Sequence, residues 1–222
     1  MSARGLFVTG TDTGIGKTYV AAALLRAHVA AGRRAVGMKP VAAGVNAADA
    51  VNADVAALLQ AGNIDAPLPD RNPYAFAPPV APHLAAAAAG IAIDLATIGA
   101  AYRRLAADAD VVVVEGAGGA LVPLDARHDM LDIAAGLGIP VLLVVGMRLG
   151  CLNHALLTEQ AVRARGLTLA GWVANVVDPA MALEADNVRA LERRIAVPCV
   201  AYVGHGAPAV FPDPWLRGGE PC

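Results

Sequence analysis

The chain has 222 residues, which is enough for the core of one α/β domain and too few for two full enzymatic domains. Lysine and arginine number 17 against 19 acidic residues, and no basic stripe of the kind that nucleic acid requires is visible. The apolar run Ile133 to Met147 is interrupted by glycines and a proline, and it is shorter than the roughly 20 residues of a membrane helix. We expect a single domain, residues 1–222, that binds neither nucleic acid nor membrane.

The N-terminus and the cysteines indicate a cytoplasmic setting. The first residues, MSARGLFVTG, pass directly into a strand pattern, without an apolar helical segment or a cleavage site for secretion. Cys151, Cys199 and Cys222 are widely spaced and form neither a CxxC pair nor an even set. We therefore expect reduced thiols in a cytoplasmic protein.

Short apolar runs alternate with stretches of helical periodicity. In chain order the prediction is strand Leu6–Val8, helix Thr18–Ala31, strand Ala35–Met38, helix Asn52–Ala61, helix Leu95–Ala107, strand Val111–Val114, helix Met130–Leu137, strand Val141–Val145, helix Asn153–Arg165, strand Trp172–Val177, helix Met181–Arg194 and strand Cys199–Val203. Near-continuous β-branched runs suit strands that are buried on both faces. The pattern predicts an α/β fold, a mostly parallel sheet with helices on both faces.

One long segment, Ile64 to Pro82, has no regular periodicity and contains six prolines. Loops of this length in a compact domain are usually functional or disordered. We interpret the segment as an ordered excursion near the functional site. The alanine run Ala85 to Ala89 that follows has a low-complexity composition, and a short helix is its simplest structure.

The most specific local signal is Gly10 to Thr18, GTDTGIGKT, between the first strand and the first helix. A glycine-rich turn lets backbone N–H groups converge on phosphate oxygens, and the helix adds its positive N-terminal end. In such a P-loop, Lys17 reaches the terminal phosphates and the Thr18 hydroxyl coordinates magnesium. The match to the common pattern is imperfect because Thr11 replaces a glycine and the loop is one residue longer. An ordinary turn with a helix cap is the alternative.

Four further segments, read with this loop, resemble the dethiobiotin synthetase family along nearly the whole chain. They are Gly37–Gly44 (GMKPVAAG), Asn72–His83 (NPYAFAPPVAPH), Val114–Gly119 (VEGAGG) and Leu149–Asn175 (LGCLNHALLTEQAVRARGLTLAGWVAN). The last segment is the most specific of the four. The resemblance implies a P-loop NTPase-like domain that uses ATP and Mg²⁺.

The reaction that the resemblance implies joins 7,8-diaminononanoate, CO2 and ATP into dethiobiotin, ADP and phosphate. Similar enzymes form a carbamate on one amine, phosphorylate it to a carbamic-phosphoric anhydride, and close the ureido ring with the second amine. Phosphoryl transfer depends mainly on positioning and charge neutralisation. The site therefore needs cationic and metal-binding residues, without a covalent nucleophile.

The resemblance implies that Lys39 and Lys17 are the catalytic residues. Lys39 follows the second predicted strand, and ligand sites of open α/β sheets gather at the carboxyl ends of strands. A solvated lysine at a strand end is the alternative interpretation of Lys39.

Thr18, Asp54 and Glu115 are the magnesium ligands that the resemblance implies. Asp54 begins a helix, so an ordinary N-terminal helix charge is its alternative interpretation. Glu115 ends the run VVVV, where an unpaired carboxylate would be costly, so a metal or a lysine partner is expected.

Further contacts follow from the same resemblance. The implied nucleotide-binding residues are Thr13, Gly14, Ile15, Gly16, Lys17, Thr18, Tyr19, Asp54, Glu115, Gly116, Gly118, Asn175, Val176 and Gly204. The implied substrate residues are Thr13, Lys39, Ala43, Gly119, Leu149, Gly150, Cys151 and Asn153. Asn175 would read the purine through its amide, although a cap on the next turn is an alternative. We expect a homodimer in which Leu149–Asn153 receives the substrate carboxylate from the neighbouring subunit.

The chain departs from the family pattern at three places. Gly14 stands where family members often have glutamate, and Ala43 stands where a serine commonly contacts substrate. Around Gly204 to Gly206 the sequence VGHGAPAV replaces the usual Pro-Trp-Leu, which leaves the base contacts there open. The loss of one hydroxyl contact typically costs about 0.5 to 1.5 kcal/mol, so weaker binding is expected without loss of the reaction.

Two other functions are considered. A different P-loop ligase, such as the synthetase part of a cobyrinate-type amidase, would ordinarily need a glutaminase domain, for which no residues remain. A partitioning or site-placement switch ATPase would carry an early lysine in the loop, as in KGGxGKT, where this chain has Thr11 and Asp12. Switch ATPases also often have a basic surface or an amphipathic terminal helix. The C-terminus of this chain, FPDPWLRGGEPC, offers neither.

Overall fold

The computed structural model describes residues 3–45 and 51–212, and a parallel sheet lies at their centre. The strands are β1 (Arg4–Gly10), β2 (Ala35–Met38), β3 (Val41–Ala43), β4 (Tyr74–Phe76), β5 (Val111–Glu115), β6 (Val141–Met147), β7 (Leu169–Val176) and β8 (Cys199–Val203). The helices are α1 (Lys17–Ala30), α2 (Ala53–Ala61), α3 (Leu68–Arg71), α4 (Pro82–Ala88), α5 (Leu95–Asp108), α6 (Met130–Leu137), α7 (Cys151–Ala164) and α8 (Glu184–Glu192). Six strands pair in the order β2-β5-β1-β6-β7-β8, all parallel, which confirms the predicted fold class.

Both faces of this sheet are buried, which explains why its strands read as continuous apolar runs. Leu6 and Val8 of β1 belong to a core layer shared with α1 and α2. Phe7, between them, belongs to the opposite layer, which includes residues of α5, α6 and α7. Successive side chains of a strand point to opposite faces, so one apolar strand supplies two cores. Among the described residues, no helix is long and apolar enough to cross a lipid bilayer.

The strand order places three functional segments side by side. β1 lies between β5 and β6, and β2 pairs with the outer edge of β5. The chain segments that follow β1, β2 and β5 therefore emerge at the same edge of the sheet, because parallel strands share their carboxyl ends. The glycine-rich loop follows β1, Lys39 follows β2, and Glu115 is the last residue of β5, so all three lie at this edge.

The proline-rich segment is more regular than the sequence suggested. Residues 64–82 contain the short helix α3 and the strand β4, which pairs in parallel with β3 as a separate two-stranded sheet. A three-residue strand and a four-residue helix are too short to produce a recognisable periodicity, so sequence patterning does not detect them. The alanine run lies largely within α4.

Helix α8 also begins later than predicted. Its first residue is Glu184 rather than Met181, and Leu183 before it has φ 52°, in the left-handed region. A non-glycine residue rarely adopts this conformation, and the leucine side chain gives no sequence signal for it.

Helix α1 buries an ionisable side chain near its C-terminal end. His28 is 3% exposed, and its Nδ1 atom has no hydrogen-bond partner among the described residues. Burial, together with the charges of Arg33 and Arg4, lowers the pKa of His28 to about 4. The folded protein therefore holds this imidazole neutral at pH values where an exposed histidine is charged.

We expect His28 to make the fold sensitive to acid. The pKa of His28 is lower in the folded state than in the unfolded state, so its contribution to the free energy of unfolding is complete above about pH 6.5. This contribution is lost as the pH falls toward 4, by as much as about 3 kcal/mol. The His28→Leu variant should lose about 2 kcal/mol less than the unmodified protein between about pH 7.5 and about pH 5 in urea unfolding. The exposed His154→Gln serves as control, and an equal pH dependence in His28→Leu would contradict the assignment.

Candidate functional site

A cleft of about 810 Å³ opens at the carboxyl edge of the sheet. It is bounded by the glycine-rich loop, the segments after β2 and β5, the start of α2, and the residues that precede α4. Its lining residues are Thr13, Gly14, Gly16, Lys17, Thr18, Tyr19, Lys39, Ala43, Asp54, Pro79, Val80, Ala81, Pro82, Glu115, Ala117, Gly118 and Val122. The structure thus brings together residues that are far apart in the sequence and that were predicted to bind nucleotide, metal and substrate.

The glycine-rich loop has the backbone conformation that its glycines allow. Gly14 and Gly16 have φ 72° and 85°, in the left-handed region that other residues rarely adopt. A Cβ atom at Gly16 would collide with Nδ2 of Asn175, whereas the space beside Gly14 is open. Helix α1 begins directly after Gly16, so its first N–H groups and its positive dipole end face the cleft.

Lys17 is largely buried at the base of this loop. Its Nζ atom donates a hydrogen bond to the backbone carbonyl of Asp12 at 2.8 Å, across the loop. Burial and the nearby charge of Lys39 lower the pKa of Lys17 to about 8. An anion bound in the loop would favour the charged form of this lysine, because an opposite charge nearby raises a lysine pKa.

Lys39 forms the most densely bonded ion cluster of the site. Its Nζ atom lies 2.6 Å from Oε1 of Glu115, 2.8 Å from Oδ2 of Asp54 and 3.2 Å from the carbonyl oxygen of Gly116. Lys39 is 3% exposed. Burial opposes its charge, but Glu115 and Asp54 outweigh burial and raise the pKa of Lys39 above its usual value. The ammonium is therefore charged, and its three donors are aimed at these oxygens.

The predicted magnesium ligands converge beside Lys39. The hydroxyl of Thr18 donates to Oε1 of Glu115 at 2.7 Å. Glu115 is fully buried, and its Oε2 atom has no hydrogen-bond partner among the described residues. Burial disfavours the charged form of Asp54, but Lys39, the Thr18 hydroxyl and Lys17 together outweigh burial and lower the pKa of Asp54, so this carboxylate is ionised. Two carboxylates and a hydroxyl, with one buried oxygen unsatisfied, fit the all-oxygen preference of Mg²⁺.

Asn175 lies beneath the loop, at the end of β7. Its Nδ2 atom donates to the carbonyl of Ile15 at 2.7 Å, and the side chain is 7% exposed. Ile15 itself points into the core, at 1% exposure. Asn175, Val176 and Gly204 do not line the 810 Å³ cleft and lie at or just after the ends of β7 and β8.

The predicted substrate residues separate into two groups. Thr13, Lys39 and Ala43 line the main cleft, and Gly119 lines a neighbouring cleft of about 390 Å³ that also contains Thr13. Leu149, Gly150, Cys151 and Asn153 line neither cleft and lie at the start of α7, where Leu149 is 94% exposed and Cys151 is buried. The start of α7 therefore does not meet the cleft of its own chain.

Sequence reasoning missed the apolar wall of the cleft. Pro79, Val80, Ala81 and Pro82 form one side of it, and Val122 contributes from the segment after β5. The prolines of the irregular segment were the available signal, since we had interpreted that segment as lying near the site. Individual wall residues carry no chemistry that marks them in a sequence.

The fold and the site together define a P-loop nucleotide-binding protein. A buried parallel strand leads through a glycine-rich loop into a helix that begins with Lys17 and Thr18, and acidic and basic residues of neighbouring strands face that loop. A model of the AAA domain family matches residues 4–207.

Comparison with individual proteins specifies the family. The chain is 56% identical over 208 residues to the ATP-dependent dethiobiotin synthetase BioD of Aromatoleum aromaticum, covering 93% of this chain and 92% of that protein. It is also 56% identical over 200 residues to the enzyme of the same name from Nitrosospira multiformis, covering 90% and 88%. The chain therefore belongs to the ATP-dependent dethiobiotin synthetase family.

A solved structure with low sequence identity shows the same fold. The MinC:MinD cell division protein complex of Aquifex aeolicus matches with a TM-score of 0.57 and 14% identity, covering 99% of this chain and 87% of that chain. At this identity the match describes the arrangement of strands and helices alone. It agrees with the parallel sheet described above.

The contact between Gly16 and Asn175 gives a test of the loop. In Gly16→Ala, the new Cβ collides with Asn175 and also meets the cost of φ 85°, whereas Gly14→Ala meets only the cost of φ 72°. We expect Gly14→Ala to weaken the binding of a non-hydrolysable ATP analogue about 5-fold in calorimetry, the lower end of a strain of about 1–3 kcal/mol, and Gly16→Ala at least ~30-fold, because the collision adds to the strain. Equal losses in the two variants would show that the Asn175 contact is unimportant.

Proposed function

We propose that this chain catalyses the ATP-dependent carboxylation and ring closure of 7,8-diaminononanoate with CO2 to dethiobiotin, with release of ADP and phosphate. The observation that carries the proposal is the pairing of a glycine-rich phosphate loop with a second buried lysine, Lys39, in a member of this family. Because ATP and CO2 are available in the cytoplasm, we place the reaction there.

The reaction consists of three steps. One amine of the substrate adds to CO2 and loses a proton, which gives a carbamate. A carbamate oxygen attacks the γ-phosphorus of ATP, the bond from that phosphorus to the β,γ-bridging oxygen breaks, and ADP leaves. The second amine then attacks the carbamate carbon of the mixed carbamic-phosphoric anhydride and the bond from that carbon to the phosphate oxygen breaks. The amine loses a proton to the departing phosphate or to water, and the ureido ring closes.

The two lysines are placed to stabilise the charge that moves in these steps. Lys17 lies in the phosphate loop, where its Nζ donates a hydrogen bond to a neutral carbonyl. A phosphate oxygen can replace that carbonyl as the acceptor. Lys39 lines the same cleft from β2 and is held charged by Glu115 and Asp54. Preorganised cations of this kind act where charge develops, in a site from which much of the water is excluded.

Thr18, Asp54 and Glu115 would hold Mg²⁺ in this site, and the bound ion would neutralise phosphate charge on ATP. Lys39 contacts both carboxylates, so it holds them close together before any ligand binds. The Thr18 hydroxyl donates to Glu115, and this hydroxyl must turn its lone pairs toward a cation that it binds.

We also propose a homodimer in which the start of α7 receives the carboxylate of the diamine acid bound to the partner subunit. Gly150 has φ 95° and directly precedes a 14-residue helix, whose N-terminal end favours an anion. Leu149 beside it is almost fully exposed, as expected of a residue that a second copy would cover. Neither residue faces the cleft of its own chain, so a second chain is needed to bring them to a substrate.

A switch ATPase is the competing function, because the solved structure of MinD with MinC shares the fold. The loop of this chain has Thr11 and Asp12 at its start rather than a lysine. The two functions differ in what triggers ATP hydrolysis, which a single assay can measure.

We expect phosphate release from ATP to require both 7,8-diaminononanoate and bicarbonate. Lys39→Ala should lower the turnover number on the order of 10²-fold or more, because it removes a cation aimed at the transferring phosphoryl group. Circular dichroism and urea unfolding monitor the fold of the variant. Arg26→Ala, which alters an exposed cation on α1, is the matched control and should leave turnover near that of the unmodified protein.

Phosphate release that does not depend on the diamine acid would favour the switch ATPase and overturn the proposed function. Near-normal turnover in a folded Lys39→Ala variant would instead remove Lys39 from the mechanism while leaving the overall reaction intact.

The shared substrate site predicts a different kinetic pattern. Asn153→Ala, at the start of α7, should raise the KM for the diamine acid about 10-fold or more, as expected for a lost hydrogen bond to a charged group, and change the KM for ATP less than about twofold. Sedimentation velocity should show a dimer at assay concentrations. Asn187→Ala on α8, a half-buried asparagine far from α7 in the sequence, is the control. A fully active monomer, or equal effects on both substrates, would contradict the shared site.

A further inference from the structure

The main chain of Lys39 is held by a segment that has no part in the proposed chemistry. Lys39 lies between β2 and β3, just beyond the main sheet. Its N–H donates to the carbonyl of Arg71 at 2.7 Å, and its carbonyl accepts from Nδ2 of Asn72 at 2.7 Å. Residues 71 and 72 therefore satisfy both main-chain groups of this buried lysine.

The Asn72 side chain joins two segments through one nitrogen atom. Its Nδ2 also donates to the carbonyl of Tyr74 at 3.0 Å, so both amide hydrogens bind main-chain carbonyls. The N–H of Tyr74 in turn donates to the carbonyl of Pro40 at 3.1 Å, and the β3–β4 pairing continues from there. Asn72 is 9% exposed, so water does not readily replace these bonds.

The segment that carries Asn72 is itself fixed to the rest of the fold. Asp70 accepts two hydrogen bonds from Arg104 of α5, at 2.8 and 2.6 Å. The buried guanidinium of Arg71 donates from Nε to the carbonyl of Gly37 in β2 at 3.4 Å. The amide of Asn72 is therefore held on a support that is bonded to both α5 and β2.

We propose that Asn72 is a positioning residue for Lys39, and this inference rests on the proposed role of Lys39 in phosphoryl transfer. A lysine side chain has four rotatable bonds, so the position of Nζ depends on a fixed main chain. Glu115 and Asp54 hold Nζ before ligands bind, but the ammonium must share its donors with phosphate oxygens during the reaction. The Asn72 bond keeps the main chain of Lys39 in place throughout that exchange.

The first test is Asn72→Ala, assayed by phosphate release in the presence of the diamine acid and bicarbonate. We expect the turnover number to fall at least ~10-fold, because displacement of a catalytic group by about 1 Å can cost about 10²-fold. The KM for ATP should change less than about twofold, since the phosphate loop is untouched. Unchanged turnover in the folded variant would overturn the inference.

A double-mutant cycle with Lys39→Ala distinguishes positioning from general damage. If Asn72 acts through Lys39, then Asn72→Ala should lower turnover by less than about twofold when Lys39 is already alanine. If Asn72 supports the site in some other way, its loss should multiply the loss from Lys39→Ala. An independent, multiplicative effect would therefore overturn the inference.

Asn63→Ala provides a matched control, because Asn63 follows α2 and bonds to the other end of β2. Asn63 also joins main-chain segments, since it accepts from the N–H of Ala35 at 2.8 Å and donates to the carbonyl of Arg33 at 2.9 Å, at the start of β2. Its loss should reduce stability in urea unfolding while turnover stays within about twofold. A fall in turnover equal to that of Asn72→Ala would show that any loosening of β2 has this effect, and would overturn the inference.

Asn72→Asp is a second variant of nearly the same shape. It replaces the donating nitrogen by oxygen and sets that oxygen against two carbonyls, so turnover should fall at least as far as in Asn72→Ala. If neither variant folds, Asn72 is a determinant of folding and the positioning role is overturned. If the proposed function were wrong, the unmodified protein would release phosphate from ATP at the same rate with and without the diamine acid.

Discussion

A lysine ammonium buried between two carboxylates sets the geometry of this site. Lys39 comes from the end of β2, Glu115 from the end of β5 and Asp54 from the start of α2. A buried charge without a partner is strongly destabilising, so these three elements must meet in one arrangement if the ions are to be satisfied. The parallel sheet makes this possible, because it delivers β2 and β5 side by side with their carboxyl ends at the same edge. The ion cluster and the strand order therefore depend on each other.

The two lysines of the cleft differ because their partners differ. Lys39 faces two carboxylates, which raise its pKa despite burial, whereas Lys17 donates to a neutral carbonyl and has its pKa lowered to about 8. A polyphosphate would supply the negative charge that Lys17 lacks and would compete with Glu115 and Asp54 for Lys39. Without a ligand, the carboxylates of the protein neutralise the charge of Lys39; with a polyphosphate bound, the phosphate oxygens would neutralise part of the charge of both lysines. The residues that hold the fold at this edge are the residues to which the proposed function assigns the chemistry.

The parts of the site that the sequence predicts are those encoded by contiguous residues. The phosphate loop can be recognised because Gly10–Thr18 lies within one segment, and Glu115 stands out because it ends a buried apolar strand. The role of Asn72 cannot be recognised in this way, since its partner is a main-chain carbonyl 33 residues away and any residue supplies a carbonyl. The segment that carries Pro79 and Val80 could be placed near the site, but the part of each residue in the wall of the cleft could not, because apolar contacts carry no sequence signature. The six strands of the main sheet, the longer helices and the parallel arrangement were predictable from periodicity, while the strand order, the short elements and the left-handed cap at Leu183 were not.

Asn175 uses only part of its hydrogen-bond capacity on the glycine-rich loop. The primary amide has two N–H donors and a carbonyl that can accept two hydrogen bonds. The bond to the Ile15 carbonyl uses one of these donors and fixes the loop from below. The two interpretations of Asn175, a reader of the purine and a cap for a turn, are therefore compatible on hydrogen-bond capacity. Because Asn175 lies against Gly16, a change in the loop backbone would also move this amide. Position 16 therefore requires glycine because Asn175 is oriented toward it. This contact joins the phosphate loop to the end of β7 behind it.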